Sequence, residues 1–321
     1  MIKKIVEISS GGARLSVEHR QLVIERKDQP RATVPCEDIG VLLVEHPAVT
    51  YTHGVFTALL EEGAAVVLCG AGHLPSGLLL PVSGNSVQAE RYRAQIDAAA
   101  PLNKRLWQLL VAAKLRQQGA VLAAVTGEDA GLAQLAKGVR SGDPDNLEAQ
   151  GAQRYWPRLL GRTFRRARDG GPPNPLLNYG YMALRAATAR ALCATGLLPT
   201  LGVHHHNRYN AFALADDLME PYRPFVDLKV KNLLGRNHSG AEVDRDAKTA
   251  LLGVFNDIVT VAGQHAPLLL GLQASAASLT RAFESGTPKL ALPAGLPVEE
   301  LNHEDGDDAA GMENDVGHRD V

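Results

Sequence analysis

The stretch "GVHHHNRYNAFALADDLMEPYRPFVD", residues 202–227, sets three consecutive histidines ahead of Asp216, Asp217 and Glu220. From near Asn210 it reads as a helix whose apolar stripe is Ala211, Leu214, Ala215 and Leu218. At about 100° of turn per residue, the three acids crowd together on another face. Neighbouring carboxylates repel, and they are comfortable only in open water, beside bases or around a cation. His204, His205 and His206 precede the helix in a loop or extended segment, where successive side chains diverge. One or two of them at most can reach a common ion. A solvated loop is the plainer reading of such a run.

A second piece lies upstream in "DNLEAQGAQRYWPRLLGRTFRRA". Glu148, Ala152, Tyr155 and Leu159 fall on one side of a helix, and that inward stripe begins with a carboxylate. An unpaired buried charge is costly, so Glu148 needs a partner, unless it simply serves the positive end of the helix dipole. Arg154, Arg158, Arg162 and Arg165 form a basic stripe beside it, with Arg166 and Arg168 close by. Like charges at this spacing oppose one another, and bound phosphates would relieve them. Hard oxygen donors with one imidazole suit Mg²⁺ or Mn²⁺ better than a structural zinc. A divalent ion beside a phosphate-binding face points to phosphodiester chemistry.

These residues need a scaffold. Residues 1–86 read as a β-rich domain, with "KKIVEIS", "ARLSVEH", "QLVIERK", "ATVP", "GVLLVEH", "AAVVLCG" and "GLLLPV" as strands and a helix over about 49–62. Helical periodicity then takes over at 87–98, 101–119, 128–138, 143–165, 174–195, 209–219 and 243–262. The division is therefore 1–86, 87–290 for a helical catalytic domain, and an acidic tail over 291–321. From Leu296 the tail holds nine acids and one Arg, which leaves 32 basic and 26 acidic residues before it. Such a tail is expected to be disordered. Cys36, Cys69 and Cys193 show no paired or metal-type spacing and read as reduced thiols of a cytoplasmic protein. "MIKKIVEISS" is too polar for a signal peptide, and no apolar run reaches membrane-spanning length.

The motifs "NLEAQGAQRYW", "PPNPLLNYGYMALRA" and the histidine stretch, in that order, closely resemble the CRISPR-associated adaptation integrase (Cas-one) family. The nearest branch is the one that travels with the single-protein RNA-guided effector, type II. The resemblance runs from about residue 1 to 290. It implies an α+β fold, with an N-terminal β-sandwich-like domain followed by an all-helical catalytic domain, paired as a homodimer. It implies assembly with the small Cas-two protein, with the type II effector nuclease as a further partner and no membrane association. The implied activity is metal-dependent DNA cleavage and strand transfer, in which 3′-hydroxyls of a short prespacer duplex attack phosphodiesters at the edges of a CRISPR repeat. The family's ligands for Mg²⁺ or Mn²⁺, a Glu, a His and an acid, fall on Glu148, His205 and Glu220. His205 is selected because it stands three residues after Gly202. Asp217 matches a second acidic position of the family, where it would hold a water or a ligand. Asn178, with Asn174 on its helix, is a candidate hydrogen-bonding support of the trio, with helix capping and core packing as the plainer reading. Arg154, Arg158, Arg162 and Arg165 are the candidate nucleic-acid contacts. Two alternatives use the same residues: a non-catalytic DNA-binding scaffold, and a stand-alone metal nuclease on branched DNA.

Overall fold

A computed structural model describes residues 3–9, 11–70, 75–236 and 238–298. The chain opens with β1 (Lys4–Ile8), β2 (Arg14–Glu18), β3 (Gln21–Glu25), β4 (Ala32–Pro35), β5 (Ile39–Val44) and β6 (Thr50–Tyr51). Helix α1 (His53–Glu61), β7 (Ala65–Cys69) and β8 (Pro75–Leu79) complete the β-rich part. One sheet has the order β1-β5-β7-β8, with β1, β5 and β7 parallel and β8 antiparallel. The other has the order β4-β3-β2-β6.

The first sheet is covered on both faces, which is why β5 is apolar at every position except Gly40. Side chains alternate across a strand. Leu42, Val44 and Val66 face the second sheet and pack with Leu15, Leu22 and Ile24. Val41, Leu43, Ala65 and Val67 face the other way and join the core of the helices. The sandwich-like N-terminal part therefore shares one wall with the helical part. Polar contacts reinforce that wall: Tyr179 donates to Glu7 Oε1 at 3.0 Å, and Arg190 Nε donates to the Gly63 carbonyl at 2.7 Å.

The helical part contains α2 (Gln88–Ile96), α3 (Ala100–Thr126), α4 (Leu132–Gly138), α5 (Leu147–Leu160), α6 (Asn174–Ala194) and α7 (Ala213–Met219). It continues through α8 (Arg223–Gly235), α9 (Arg245–Gly253), β9 (Ile258–Val261), β10 (Gln264–Pro267), α10 (Leu268–Ser285) and β11 (Pro293–Ala294). Helices α3 and α6 are buried around most of their circumference and form the centre. The helix expected over 243–262 ends at Gly253. "IVTV" becomes β9, and Ala262 (φ 52°) and Gly263 (φ 79°) turn the chain back into β10. Two successive positive φ angles make the tight hairpin that suits a right-twisted ribbon. Strand β11 adds to β9, so a small sheet sits among the helices. Of the tail expected over 291–321, residues 291–298 are described and include β11, with Leu292 and Leu296 packed on the core, while the acids, from 299 onward, lie outside the described residues.

Candidate active site

Glu148 stands in the first turn of α5, and that turn is fixed by its neighbours. Asp143 accepts hydrogen bonds from the backbone N–H of Leu147 (2.9 Å) and of Glu148 (3.0 Å). Those donors would otherwise be unpaired at a helix start. One turn on, Gly151 lets α5 settle against α3; a Cβ there would lie 2.1 Å from Leu115 Cδ2. Glu148 is thereby delivered to Lys114 of α3, whose Nζ donates to Glu148 Oε1 at 2.7 Å. The same ammonium lies 2.6 Å from Oε2 of Glu220, at the junction of α7 and α8.

Lys114 and Glu220 are nearly dry, with side-chain exposures of 10% and 4%, while Glu148 keeps 25%. Burial opposes charge on Lys114, but the carboxylates of Glu220 and Glu148 outweigh it and raise its pKa. Burial also opposes charge on Glu220, and there the cations Arg223 and Lys114 win and hold the carboxyl below its ordinary range. Arg223 Nη2 takes the other Glu220 oxygen at 3.1 Å.

Each acid of the 216–220 group has its own basic partner, which resolves their mutual repulsion. Asp216 is held by Arg185 through Nε (2.6 Å) and Nη2 (2.9 Å). Asp217 is fully buried and gathers the histidine loop. Its Oδ2 accepts from the backbone N–H of His204 (2.9 Å) and of His205 (3.4 Å), and its Oδ1 bonds His205 Nδ1. That last bond is the main reason the His205 pKa is raised, and it leaves Nε2 as the ring nitrogen without a hydrogen bond among the described residues. His205 also feels the charges of Glu220 and Glu148. His204 stacks flat on Trp107, with ring centroids 4.1 Å apart, and burial lowers its pKa. His206 is exposed and lines a cleft with His205, Asn207 and Arg208.

The structure thus brings Glu148 and Glu220 onto one cation and sets His205 beside them. Among the described residues, no group of three or more His, Cys, Asp or Glu side chains closes into a metal shell. The donor set nonetheless fits a hard divalent ion. It offers two carboxylates and an oriented imidazole, and the buried Glu220 Oε2 touches Lys114 without an aligned hydrogen bond.

The arginine stripe is not continuous. Gly161 (φ 101°) ends α5 after Leu160, so Arg154 and Arg158 remain on the helix while Arg162 and Arg165 lie on the loop beyond it. That loop supplies Arg166 and Arg168 to a cleft of ≈ 350 Å³, where they meet Arg185, Arg223 and Tyr181. Arg166 donates to Asn174 Oδ1 (2.9 Å) and to Asn178 Oδ1 (2.8 Å), and Asn178 Nδ2 donates to the Arg168 carbonyl at 2.6 Å. Asn178 therefore braces the arginine loop, and its hydrogen bonds go there rather than to Glu148, His205 or Glu220. Arg166 and Arg223 each lie over a face of Tyr181, at 5.1 and 4.9 Å. The Tyr181 hydroxyl and that of Tyr155 (3.1 Å) both donate to buried Asp227. Sequence reasoning passed over Lys114, Trp107, Arg185, Arg223 and Asp227.

A family model described as "CRISPR associated protein Cas1" matches residues 6–252. The chain belongs to the Cas1 family. It is 37% identical over 297 residues to a CRISPR-associated endonuclease Cas1 of Neisseria meningitidis, covering 91% of this chain and 97% of the relative. A Cas1 endonuclease of Pyrobaculum aerophilum is 26% identical over 242 residues, covering 71% and 82%. Among solved structures, a casposase bound to its integration product aligns with a TM-score of 0.74 at 18% identity, covering 91% and 93%. A Cas1 protein from Thermotoga maritima aligns with a TM-score of 0.67 at 16% identity, covering 88% and 97%. A Cas6-RT-Cas1–Cas2 complex also contains this fold, with a TM-score of 0.71 at 17% identity; the match covers 89% of this Cas1-family chain and 35% of that one.

Proposed function

We propose that this Cas1-family chain is a metal-dependent DNA endonuclease and integrase of CRISPR spacer acquisition, from the type II branch. Its ligand trio is Glu148, His205 and Glu220. One observation carries the reading: the carboxylates of Glu148 and Glu220 converge on a single cation, at 2.7 and 2.6 Å, beside an oriented histidine. Bound by these side chains, Mg²⁺ or Mn²⁺ would polarise a phosphoryl group and stabilise the attacking and leaving oxygens. The remaining work falls to the protein. Asp217 fixes the His205 ring so that Nε2 is presented. Arg166 and Arg168, braced by Asn174 and Asn178, hold phosphate oxygens, and Arg154, Arg158, Arg162 and Arg165 extend the basic surface along the duplex.

The substrates on this reading are a prespacer duplex, whose 3′-hydroxyls attack, and the edges of a CRISPR repeat. The working form is a homodimer assembled with the Cas-two protein, in the cytoplasm, with the type II effector nuclease as a further partner. The solved complexes that pair a Cas1 chain with Cas2 support this assembly. Among the described residues no helix is long and apolar enough to cross a membrane.

Strand transfer of a labelled duplex into a repeat-containing target, with Mn²⁺, tests the proposal. The wild type is expected to integrate. Glu148→Ala is expected to bind DNA at wild-type affinity and integrate nothing. Integration by Glu148→Ala rejects the ligand assignment. Binding without turnover by the wild type favours the scaffold reading, and cleavage of branched DNA without integration favours a stand-alone nuclease.

A further inference from the structure

We propose that Lys114 is a resident stand-in for the metal: its ammonium holds the cation position between Glu148 and Glu220 and is expelled when a divalent ion binds there. The inference rests on the metal site proposed above and concerns how that site is loaded.

Three elements distant in sequence meet at this ammonium. Lys114 comes from the middle of α3, Glu148 from the first turn of α5, and Glu220 from the α7–α8 junction. Nζ lies 2.7 Å from one oxygen of Glu148 and 2.6 Å from one oxygen of Glu220. A metal takes carboxylate oxygens at about 2.0–2.6 Å. An ion taking those same two oxygens would lie as close to each of them as Nζ does, and two cations held by one pair of oxygens repel at short range, so the ammonium and the ion exclude each other. Lys114 is the group that can leave. Its side chain is a flexible stem ending in a compact charge, and it sits on the oxygens that such an ion would take, whereas Arg223 pairs with the other oxygen of Glu220.

The arrangement explains why a lysine sits on a core-facing stripe. Without it, Glu148 would lose the cation it pairs with and the buried Glu220 would keep only Arg223, at a cost to the metal-free fold. With it, the metal-free site is neutralised, and metal uptake becomes an exchange of one cation for another.

Mn²⁺ binding to the full chain, followed by the paramagnetic signal of the free ion, tests this on the wild type, Lys114→Met and Lys114→Arg. Lys114→Met is expected to melt lower without metal. It should also bind Mn²⁺ about tenfold tighter or more, the scale on which a neighbouring charge biases an ionising group. Lys114→Arg retains the positive charge and is expected to stay within about threefold of the wild type on the same scale. Equal or weaker Mn²⁺ binding by Lys114→Met overturns the inference while leaving the metal site standing. No Mn²⁺ binding by either protein overturns the metal site and the inference together. A second measurement needs no variant: acetylation of wild-type Lys114 by an amine-reactive ester, read by mass spectrometry. Protection without Mn²⁺ and reactivity with it are expected. Protection that persists with Mn²⁺ bound overturns the exchange.

Discussion

Gly202→Ala tests how the histidine is held. A Cβ at position 202 would lie 2.5 Å from the His205 carbonyl oxygen, 2.8 Å from Asp217 Oδ2 and 3.2 Å from Ala213 Cβ. None of these is the loose end of a flexible side chain. One is backbone, one is a carboxylate fixed by the hydrogen bonds of His204 and His205, and one belongs to α7. The loop itself must therefore back away from Asp217. Overpacking of this kind costs about 1–3 kcal/mol. At roughly 2–4 °C per kcal/mol for a domain near this size, the Tm should fall by about 2–12 °C. The larger effect is on His205, whose ring loses its place relative to Glu148 and Glu220. A misplacement of about 1 Å is worth roughly a hundredfold in rate. The assay is Mn²⁺-dependent strand transfer, run beside a melt. Gly84→Ala serves as the control, because its Cβ would lie 2.5 Å from the Cys193 carbonyl oxygen and so clashes with backbone away from the histidine loop. It should lower the Tm with integration per folded molecule retained. If Gly202→Ala keeps both the wild-type Tm and the wild-type rate, the packing argument for His205 is wrong.

Asp217→Asn removes the chief cause of the raised His205 pKa. An imidazolium cannot bind metal, so the pH at which Mn²⁺ affinity is lost should move down in the variant, even though the looser ring binds more weakly overall; an unmoved acid limb in Mn²⁺ titrations rejects the link. Arg158→Ala with Arg162→Ala should weaken duplex binding at every sequence and flatten the log–log salt dependence by about 0.9 for each phosphate the protein no longer neutralises, and an unchanged slope in salt titrations makes these a solvated face. Burial raises the Asp227 carboxyl from 3.8 to about 7, against the pull of its tyrosine and arginine neighbours. The folded chain therefore holds a proton that the unfolded chain has released, and this contribution to stability, complete below 3.8, is lost as pH rises through about 7. Asp227→Asn removes that dependence, so its Tm relative to the wild type should improve from about pH 4 to pH 7 and level off above, and melts showing a constant difference contradict the assignment.

The strands of the first sheet were legible because covering both faces forces apolar residues at successive positions, as "VLLV" in β5 and "AVVL" in β7 show. The end of α5 was also written in the sequence, at Gly161, but arginines spaced four apart drew the helix past it. "IVTV" followed by Ala262 and Gly263 carried a hairpin signal that the helical pattern before it masked. Helix α10 carries a buried stripe of Leu268, Leu272, Leu279 and Phe283 that was readable, although Gly271, Ser275, Ser278 and Ala282 are interleaved with it. At the site, Glu148 stood out as a charge heading an inward stripe. Lys114 stands on such a stripe too, with Trp107, Leu110, Val111 and Leu115, and the same argument would have found it. What no local pattern could supply is which histidine matters. Trp107 takes His204 and Asp217 takes His205, and both choices depend on partners from elsewhere in the fold.

Arg223 answers to two anions. It pairs with Glu220 on one side and lines the arginine cleft on the other. A DNA phosphate lodged in that cleft competes with Glu220 for the same guanidinium. Every share of that charge the phosphate takes leaves Glu220 more negative and more attractive to a divalent ion. Thermodynamic reciprocity then requires that the ion, by drawing Glu220 toward itself, release Arg223 to the phosphate and strengthen its hold on DNA by the same factor. On the proposed reading the two ligands would be cooperative through a single side chain. With the proposed metal and DNA sites, the ion would bind most completely when nucleic acid is in place, which would restrain phosphodiester chemistry until there is a phosphodiester to act on.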